Sequence, residues 1–263
     1  MKIATWNING IKARQENLAE WLKNEEPDII CLQEIKSVDE GFPKAAFDAL
    51  GYHIETHGQK GFNGVALLSR KAPEEVVRGL PGDDGDTQSR YIEGTFSVAG
   101  GVIRVASIYL PNGNPVDSEK YAYKLAWMTR LRDHIRARLA LEEPLILAGD
   151  YNVIPRPGDC HDPAVWSGDA LFLPATREAF ANLVGLGLTD AVMAGSDSAG
   201  QYTFWDYQAG AWQKNNGIRI DHMLLSAEAA DNLNATMIAK DVRSWEKPSD
   251  HVPVICDFGY NWP

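Results

Sequence analysis

Apolar residues along the chain fall into short runs at residues 2–6, 28–32, 65–69, 91–98, 102–109, 145–148, 220–225 and 252–258. Runs of this length, rich in β-branched and aromatic residues, read as strands. A helical period appears in two places only. One is residues 15–24. The clearer one spans residue 118 to about 141, where Tyr121, Leu125, Met128, Leu131, Ile135 and Leu139 recur at three- and four-residue steps. Its opposite face carries Arg130, Arg132, Arg136 and Arg138, which reads as a solvated surface because long charged side chains there need no ligand. Turn-rich segments at 81–86 and 155–162 are too short for linkers, and no solenoid period repeats. Strands spread from end to end with helices among them predict a single α/β domain over residues 1–263, built on packed sheets.

Polar groups collect where the apolar runs stop. The first run ends in Asn7-Ile8-Asn9-Gly10, the second in Gln33-Glu34, the fifth in Tyr109-Leu110-Pro111-Asn112 and the sixth in Gly149-Asp150-Tyr151-Asn152. Parallel strands would bring all four sets to one sheet edge, where α/β folds place their ligands. In the last run Ser249-Asp250-His251 come first, so an antiparallel strand would bring them to the same edge. Asp221 opens an apolar strand, where a carboxylate is costly unless paired, and His251 is its candidate partner. A carboxylate beside the ring favours the imidazolium, which can hold a phosphate oxygen. Taken singly, Asn7, Asn9 or Asn152 reads as a turn former. Together Glu34, Asp150, Asn152, Asp221, Asp250 and His251 supply hard ligands for magnesium or manganese rather than zinc.

Composition narrows the partners. With 25 Lys+Arg against 36 Asp+Glu among 263 residues, the net charge is −11, so a polyanion has to find a local basic patch. Lys12, Arg14, Lys36, Lys60, Arg90, Lys214, Arg219 and Lys247 lie near the motif loops and are candidates for it. No apolar run approaches the ~20 residues of a membrane span, and no leader pattern opens the sequence, so a cytoplasmic protein with no membrane partner is expected. Three cysteines without C-x-x-C spacing argue against a disulfide framework.

Six segments carry a resemblance. Trp6-Asn7-Ile8-Asn9-Gly10, Leu32-Gln33-Glu34-Ile35-Lys36, Gly61-Phe62-Asn63-Gly64-Val65-Ala66-Leu67-Leu68-Ser69, Gly149-Asp150-Tyr151-Asn152, Arg219-Ile220-Asp221 and Ser249-Asp250-His251 resemble, in order, the motifs of the exonuclease III family of AP endonucleases, bacterial type. The resemblance covers essentially the whole chain. It implies a four-layer α/β sandwich, two packed mixed β-sheets flanked by helices. It implies metal-dependent hydrolysis of DNA phosphodiesters 5′ to abasic sites, with 3′-to-5′ exonuclease and 3′-end-cleaning activity. The implied partner is double-stranded DNA with abasic or 3′-blocked sites, and the implied state a monomer.

The same resemblance assigns roles. Glu34 would bind Mg2+, or Mn2+, with Asn7, Asp250, Asp150, Asn152 and His251 around it. Asp150, oriented by Asn152, would position and deprotonate the attacking water; His251, held by Asp221, would contact the phosphate, and so would Tyr109, as phenol or phenolate. Lys36, Arg90 and Asn112 would touch DNA, and Phe204, Trp205 and Ile218 would line a pocket for a flipped abasic sugar. Two departures stand out: Asn9 replaces an aspartate of animal AP endonucleases, and Ile218 an aromatic pocket residue. The competing readings are a phosphoinositide or sphingolipid phosphoesterase of the same superfamily, and a noncatalytic nucleic-acid-binding module.

Overall fold

The computed structural model describes residues 1–196 and 198–263. From the amino terminus, β1 (Lys2–Asn7) leads through α1 (Ile11–Glu25) to β2 (Ile29–Gln33), α2 (Lys44–Asp48), β3 (His53–His57), β4 (Val65–Ser69), β5 (Glu75–Arg78), β6 (Tyr91–Val98) and β7 (Gly101–Tyr109). The long α3 (Glu119–Leu139) precedes β8 (Leu145–Asp150), α4 (Pro163–Trp166) and α5 (Pro174–Val184). Then come β9 (Thr189–Asp190), α6 (Ala191–Gly195), β10 (Asp221–Leu225), α7 (Ala227–Ala230), β11 (Leu233–Ile238) and β12 (Val254–Phe258). Among the described residues no helix is long and apolar enough to cross a membrane.

Each apolar run became a strand. α1 begins earlier than its periodicity predicts because Arg14 leaves helical geometry (φ −123°), so the regular repeat is readable only beyond it. β3 and β11 escaped the sequence reading because each lies at the edge of its sheet and is largely uncovered, so their side chains do not alternate between apolar and polar.

The strands form two six-stranded sheets, ordered β11-β12-β1-β2-β4-β3 and β5-β6-β7-β8-β10-β9. β1 runs parallel to β2, and β7 to β8; the other pairs are antiparallel. The sheets pack face to face, with Ile3, Cys31 and Leu67 of one against Val105, Ile146 and Met223 of the other in one buried cluster. The outer face of the first sheet is covered by α1, where Trp21 packs edge-on to Trp6 at 5.7 Å. Trp127 and Leu131 of α3 and Phe180 of α5 cover the second. The result is an α/β four-layer sandwich of two mixed sheets flanked by helices.

Side chains alternate faces along a strand, and this period places the site. On β1, Ile3 points between the sheets and Ala4 and Trp6 point outward, so Thr5 and Asn7 return to the inter-sheet side. Gln33 on β2 and Ser107 on β7 follow the same parity, and Gln33 Nε2 donates to Ser107 Oγ at 2.9 Å across the gap. The inter-sheet layer is thus apolar through its middle and turns polar at the carboxyl ends of the parallel strands.

Two arginine expectations are corrected. Arg130 and Arg138 are not simply solvated: Arg130 pairs with Asp83 and Asp86, and Arg138 reaches the buried Glu93 at 2.9 Å. Only Arg132 and Arg136, paired with Asp133, keep to the exposed face. Arg219 does not belong to a DNA-facing patch. It is 1% exposed and donates to Asp159 Oδ1 at 2.9 Å and to Asp190 Oδ2 at 2.6 Å, because a buried guanidinium is tolerated only when its donors are met by carboxylates.

This cluster ties β9 and the segment before β10 to the loop after β8. Burial alone would raise the Asp190 and Asp159 carboxyls; bonds from His222 and Arg219 to Asp190, and from Arg219 to Asp159, hold both below the ordinary range instead. Depressed carboxyls stabilise the fold fully above their unfolded-state values, and that contribution is lost as pH falls through the folded ones. Asp190→Asn is therefore expected to lower Tm at neutral pH and to flatten the fall in Tm as pH drops below about 4, measured by thermal melts. A variant with the wild-type acid slope contradicts this.

Candidate active site

Five segments deliver the site. Asn7 ends β1, Glu34 follows β2, Asp150 ends β8, Asp221 begins β10 in register with Asp150, and His251 precedes β12. Ligand atoms of Glu34, Asp150 and His251 all lie within 4.8 Å of one another. Asn7 stands between the carboxylates, its Nδ2 donating to Glu34 Oε1 at 3.0 Å and to Asp150 Oδ2 at 2.9 Å. Asp221 Oδ2 accepts from His251 Nδ1 at 2.8 Å, leaving Nε2 3.7 Å from Asp150 Oδ2. Ser249 fixes the histidine backbone, its hydroxyl donating to Asn7 O at 2.7 Å and accepting from the His251 N–H at 3.2 Å.

The turns that carry these groups are conformationally demanding. Asn9, Glu34, Lys36 and Asn152 all have φ between 47° and 51°, a left-handed backbone that non-glycine residues rarely adopt. Backbone bonds hold them there: Gly10 N–H to Glu34 O at 2.7 Å and Lys36 N–H to Asn63 O at 3.0 Å. At Gly149 a Cβ would fall 2.0 Å from Ile108 O, so only glycine lets β8 close on β7 beside Asp150.

The electrostatics follow from burial and neighbours. Burial would raise the Glu34 carboxyl, yet the Asn7 amide and the Lys36 ammonium, 2.9 Å away, hold it below its ordinary value. Asp150 is pushed up to about 7, mainly by burial and by Asp221, against the pull of His251. His251 is raised to about 10, since Asp221 and Asp150 outweigh the burial that disfavours its charge. Burial, Glu34 and Asp150 drive the Tyr109 hydroxyl well above its ordinary value while it donates to Glu34. The phenolate alternative for Tyr109 is therefore disfavoured.

Geometry separates the expected ligand set. Glu34 and Asp150 offer carboxylate oxygens at the centre. Asn7 supports them with its amide nitrogen, while its oxygen accepts the Asn9 N–H at 3.0 Å. Asp250 stands one step away, its Oδ1 accepting from Asn9 Nδ2 at 3.0 Å. The Asn152 side chain faces elsewhere, donating to Leu110 O and accepting from Asn112 Nδ2, both at 3.0 Å; it is its backbone N–H that donates to Asp150 Oδ1 at 2.9 Å. His251 as imidazolium has no free lone pair for a metal. Two hard carboxylate oxygens converging on one point suit a divalent cation such as magnesium or manganese.

At the rim, Lys36 Nζ bridges Glu34 and Asn9 Oδ1, and Arg90 lies over the Tyr109 ring while donating to Tyr109 O at 3.2 Å. Phe204 packs against His251 with ring centroids 5.0 Å apart, and with Ile218, His161 and Trp166 it lines a cavity of about 330 Å³. Trp205, expected beside Phe204, turns away: it is 0% exposed, packs in the core under α1 and donates to Asn215 Oδ1. Neighbouring residues on an extended segment face opposite sides, so one of the pair had to be core.

Sequence reasoning passed over Lys124. It sits on the apolar stripe of α3, fully buried, donating to Asn152 O at 2.6 Å and Asn112 O at 3.0 Å. A lysine three residues after Tyr121, on the stripe that includes Met128, was the available signal.

Comparison with known proteins points the same way. An exodeoxyribonuclease III from Haemophilus influenzae is 35% identical over 266 residues, spanning 98% of this chain and 100% of that protein. The structure resembles that of the 3′ phosphatase NExo from Neisseria bound to product DNA hairpin, with a TM-score of 0.94 and 38% identity over 98% of this chain and 99% of that one. It also resembles an AP endonuclease from Archaeoglobus fulgidus, with a TM-score of 0.93 and 36% identity over 98% and 99% of the two chains. Residues 4–251 match the endonuclease/exonuclease/phosphatase family, and the chain belongs to it.

Proposed function

We propose that this chain is a DNA-repair nuclease that hydrolyses phosphodiesters 5′ to abasic sites and also removes 3′-terminal nucleotides and 3′ blocking groups. The observation that carries the reading is the convergence of Glu34, Asn7, Asp150, Asp221 and His251 from five segments at one carboxylate pair. Relatives named exodeoxyribonuclease III and AP endonuclease, and a similar 3′ phosphatase bound to DNA, support DNA over a phosphoinositide or sphingolipid substrate. Retention of the full charged set argues against a noncatalytic module.

Glu34 and Asp150 would hold Mg2+, with Mn2+ the alternative. When bound, the cation supplies charge neutralisation at the phosphate and at the leaving 3′ oxygen. The protein's own groups do the rest. Asp150, fixed by the Asn152 N–H and the Asn7 amide, has one oxygen edge toward the site and a proton affinity suited to taking the proton from attacking water. His251, kept charged and oriented by Asp221, donates Nε2–H to a phosphate oxygen, and the Tyr109 hydroxyl adds a second donor. Phe204 and Ile218 form the wall against which an extruded sugar without a base fits.

The substrate would be double-stranded DNA carrying an abasic or 3′-blocked site, taken by a monomer in the cytoplasm. The −11 net charge is met locally by Lys36, Arg90 and Lys247 near the loops.

Two measurements test this. A duplex with one tetrahydrofuran abasic analogue is expected to be incised with magnesium and not with chelator, and Asp150→Asn is expected to lower kcat by roughly 10²- to 10⁴-fold; no incision, with turnover of inositol phosphates or sphingomyelin, replaces the reading. Duplex affinity is expected to fall steeply and log-linearly with salt, by fluorescence anisotropy, whereas a salt-independent Kd contradicts a phosphate-driven contact.

A further inference from the structure

We propose that Lys124 is a positioning residue of the hydrolytic reaction, its buried side-chain amine clamping the turn after β7 to the turn after β8 so that the Asn152 N–H stays aimed at Asp150. The inference rests on the reading of Asp150 as the group that takes the proton from water.

A lysine amine inside a helix–sheet interface is unfavourable unless its donors are met, burial lowers the pKa of this one to about 7, and a methionine would fill similar space without that penalty. Lys124 is 0% exposed, and its Nζ meets two main-chain carbonyls on different turns, Asn152 O at 2.6 Å and Asn112 O at 3.0 Å. Neither carbonyl belongs to α3, so the bonds do nothing for the helix itself. What they hold is the chemistry-bearing pair of turns.

The surroundings are shaped for this stem. At Gly113, with φ +89°, a Cβ would come within 2.7 Å of Lys124 Cδ, so the turn after β7 can close over the lysine only without a side chain there. The same turn is pinned from the far side, where Asn114 Nδ2 donates to Asp169 at 3.1 and 3.2 Å. Within the clamp, Asn112 Nδ2 donates to Asn152 Oδ1 at 3.0 Å, and Asn152 Nδ2 to Leu110 O at 3.0 Å. Asn152 therefore has its carbonyl, its amide oxygen and its amide nitrogen all bonded, while its backbone stays left-handed at φ 47°. That conformation lets its N–H reach Asp150 Oδ1 at 2.9 Å.

Removing this donor leaves the buried Asn152 carbonyl unpaired and lets Asn152 relax, which misplaces Asp150, while the turn that carries Asn112 stays pinned through Asn114 to Asp169. A positioning role therefore acts on kcat and spares KM. A purely structural role lowers stability and spares both in the folded fraction.

The test is steady-state incision of the tetrahydrofuran duplex with magnesium, begun with the wild-type chain. A wild type that does not incise rejects the nuclease reading and not the clamp. On an active wild type, Lys124→Met is expected to lower kcat on the order of 10- to 100-fold with KM within about twofold, and Lys124→Arg, which keeps a cationic donor, to recover part of the loss. Met128→Ala, one turn along the same buried stripe, is expected to lose thermal stability and keep kcat well below its Tm. Should Lys124→Met fail to fold, Gly113→Ala carries the test, because it displaces the lysine stem and is expected to lower kcat at constant KM. Wild-type kcat in Lys124→Met, or in Gly113→Ala where that variant stands in, overturns the proposal, as does a rise in KM alone or an equal loss of kcat in Met128→Ala.

Discussion

The structure is organised around a repulsion. The buried Asp150 and Asp221 and the partly exposed Glu34 are carried to one edge of the inter-sheet layer, where like charges are poorly diluted by solvent. Among the described residues only His251 and Lys36 oppose them at contact distance. Asp150 is left with a raised proton affinity, through burial first and the Asp221 carboxylate second. Removing one partner of such a buried set typically costs about 3–5 kcal/mol, so the surrounding hydrogen bonds are conditions for the fold as well as for the chemistry.

Those conditions explain the backbone. The two parallel pairs, β1 with β2 and β7 with β8, aim four turns the same way, and antiparallel β10 and β12 bring the starts of their strands to meet them. Each turn then bends through a left-handed residue or closes over a glycine, at Asn9, Glu34, Asn152, Gly113 and Gly149. Backbone strain of about 1–3 kcal/mol per residue is sustained only where neighbours over-determine the conformation, as they do here.

Much of this was readable from the residues. Apolar runs gave the inner strands because both their faces are buried, and the polar residues closing those runs gave the site because the alternation of a strand decides which of them face inward. The reading failed where position depends on contacts far away in sequence. Trp205 and Phe204 look alike as letters, yet one is core and the other wall. Arg219 looks like a DNA contact and is spent on Asp159 and Asp190. β3 and β11 lack alternation because edge strands with one neighbour bury little. The turn role of Asn152 was foreseen from its type, but that its backbone rather than its side chain steers Asp150 depends on a lysine 28 residues away.

The central claim is that the Glu34–Asp150 carboxylate pair is a cation site, and anomalous diffraction from a crystal soaked in manganese tests it most directly. The account requires a single dominant peak in coordination contact with a Glu34 carboxylate oxygen and facing Asp150, lost in a Glu34→Gln crystal that is otherwise unchanged. A peak only at surface acidic groups such as Asp83 and Asp84, or one that survives Glu34→Gln, contradicts it.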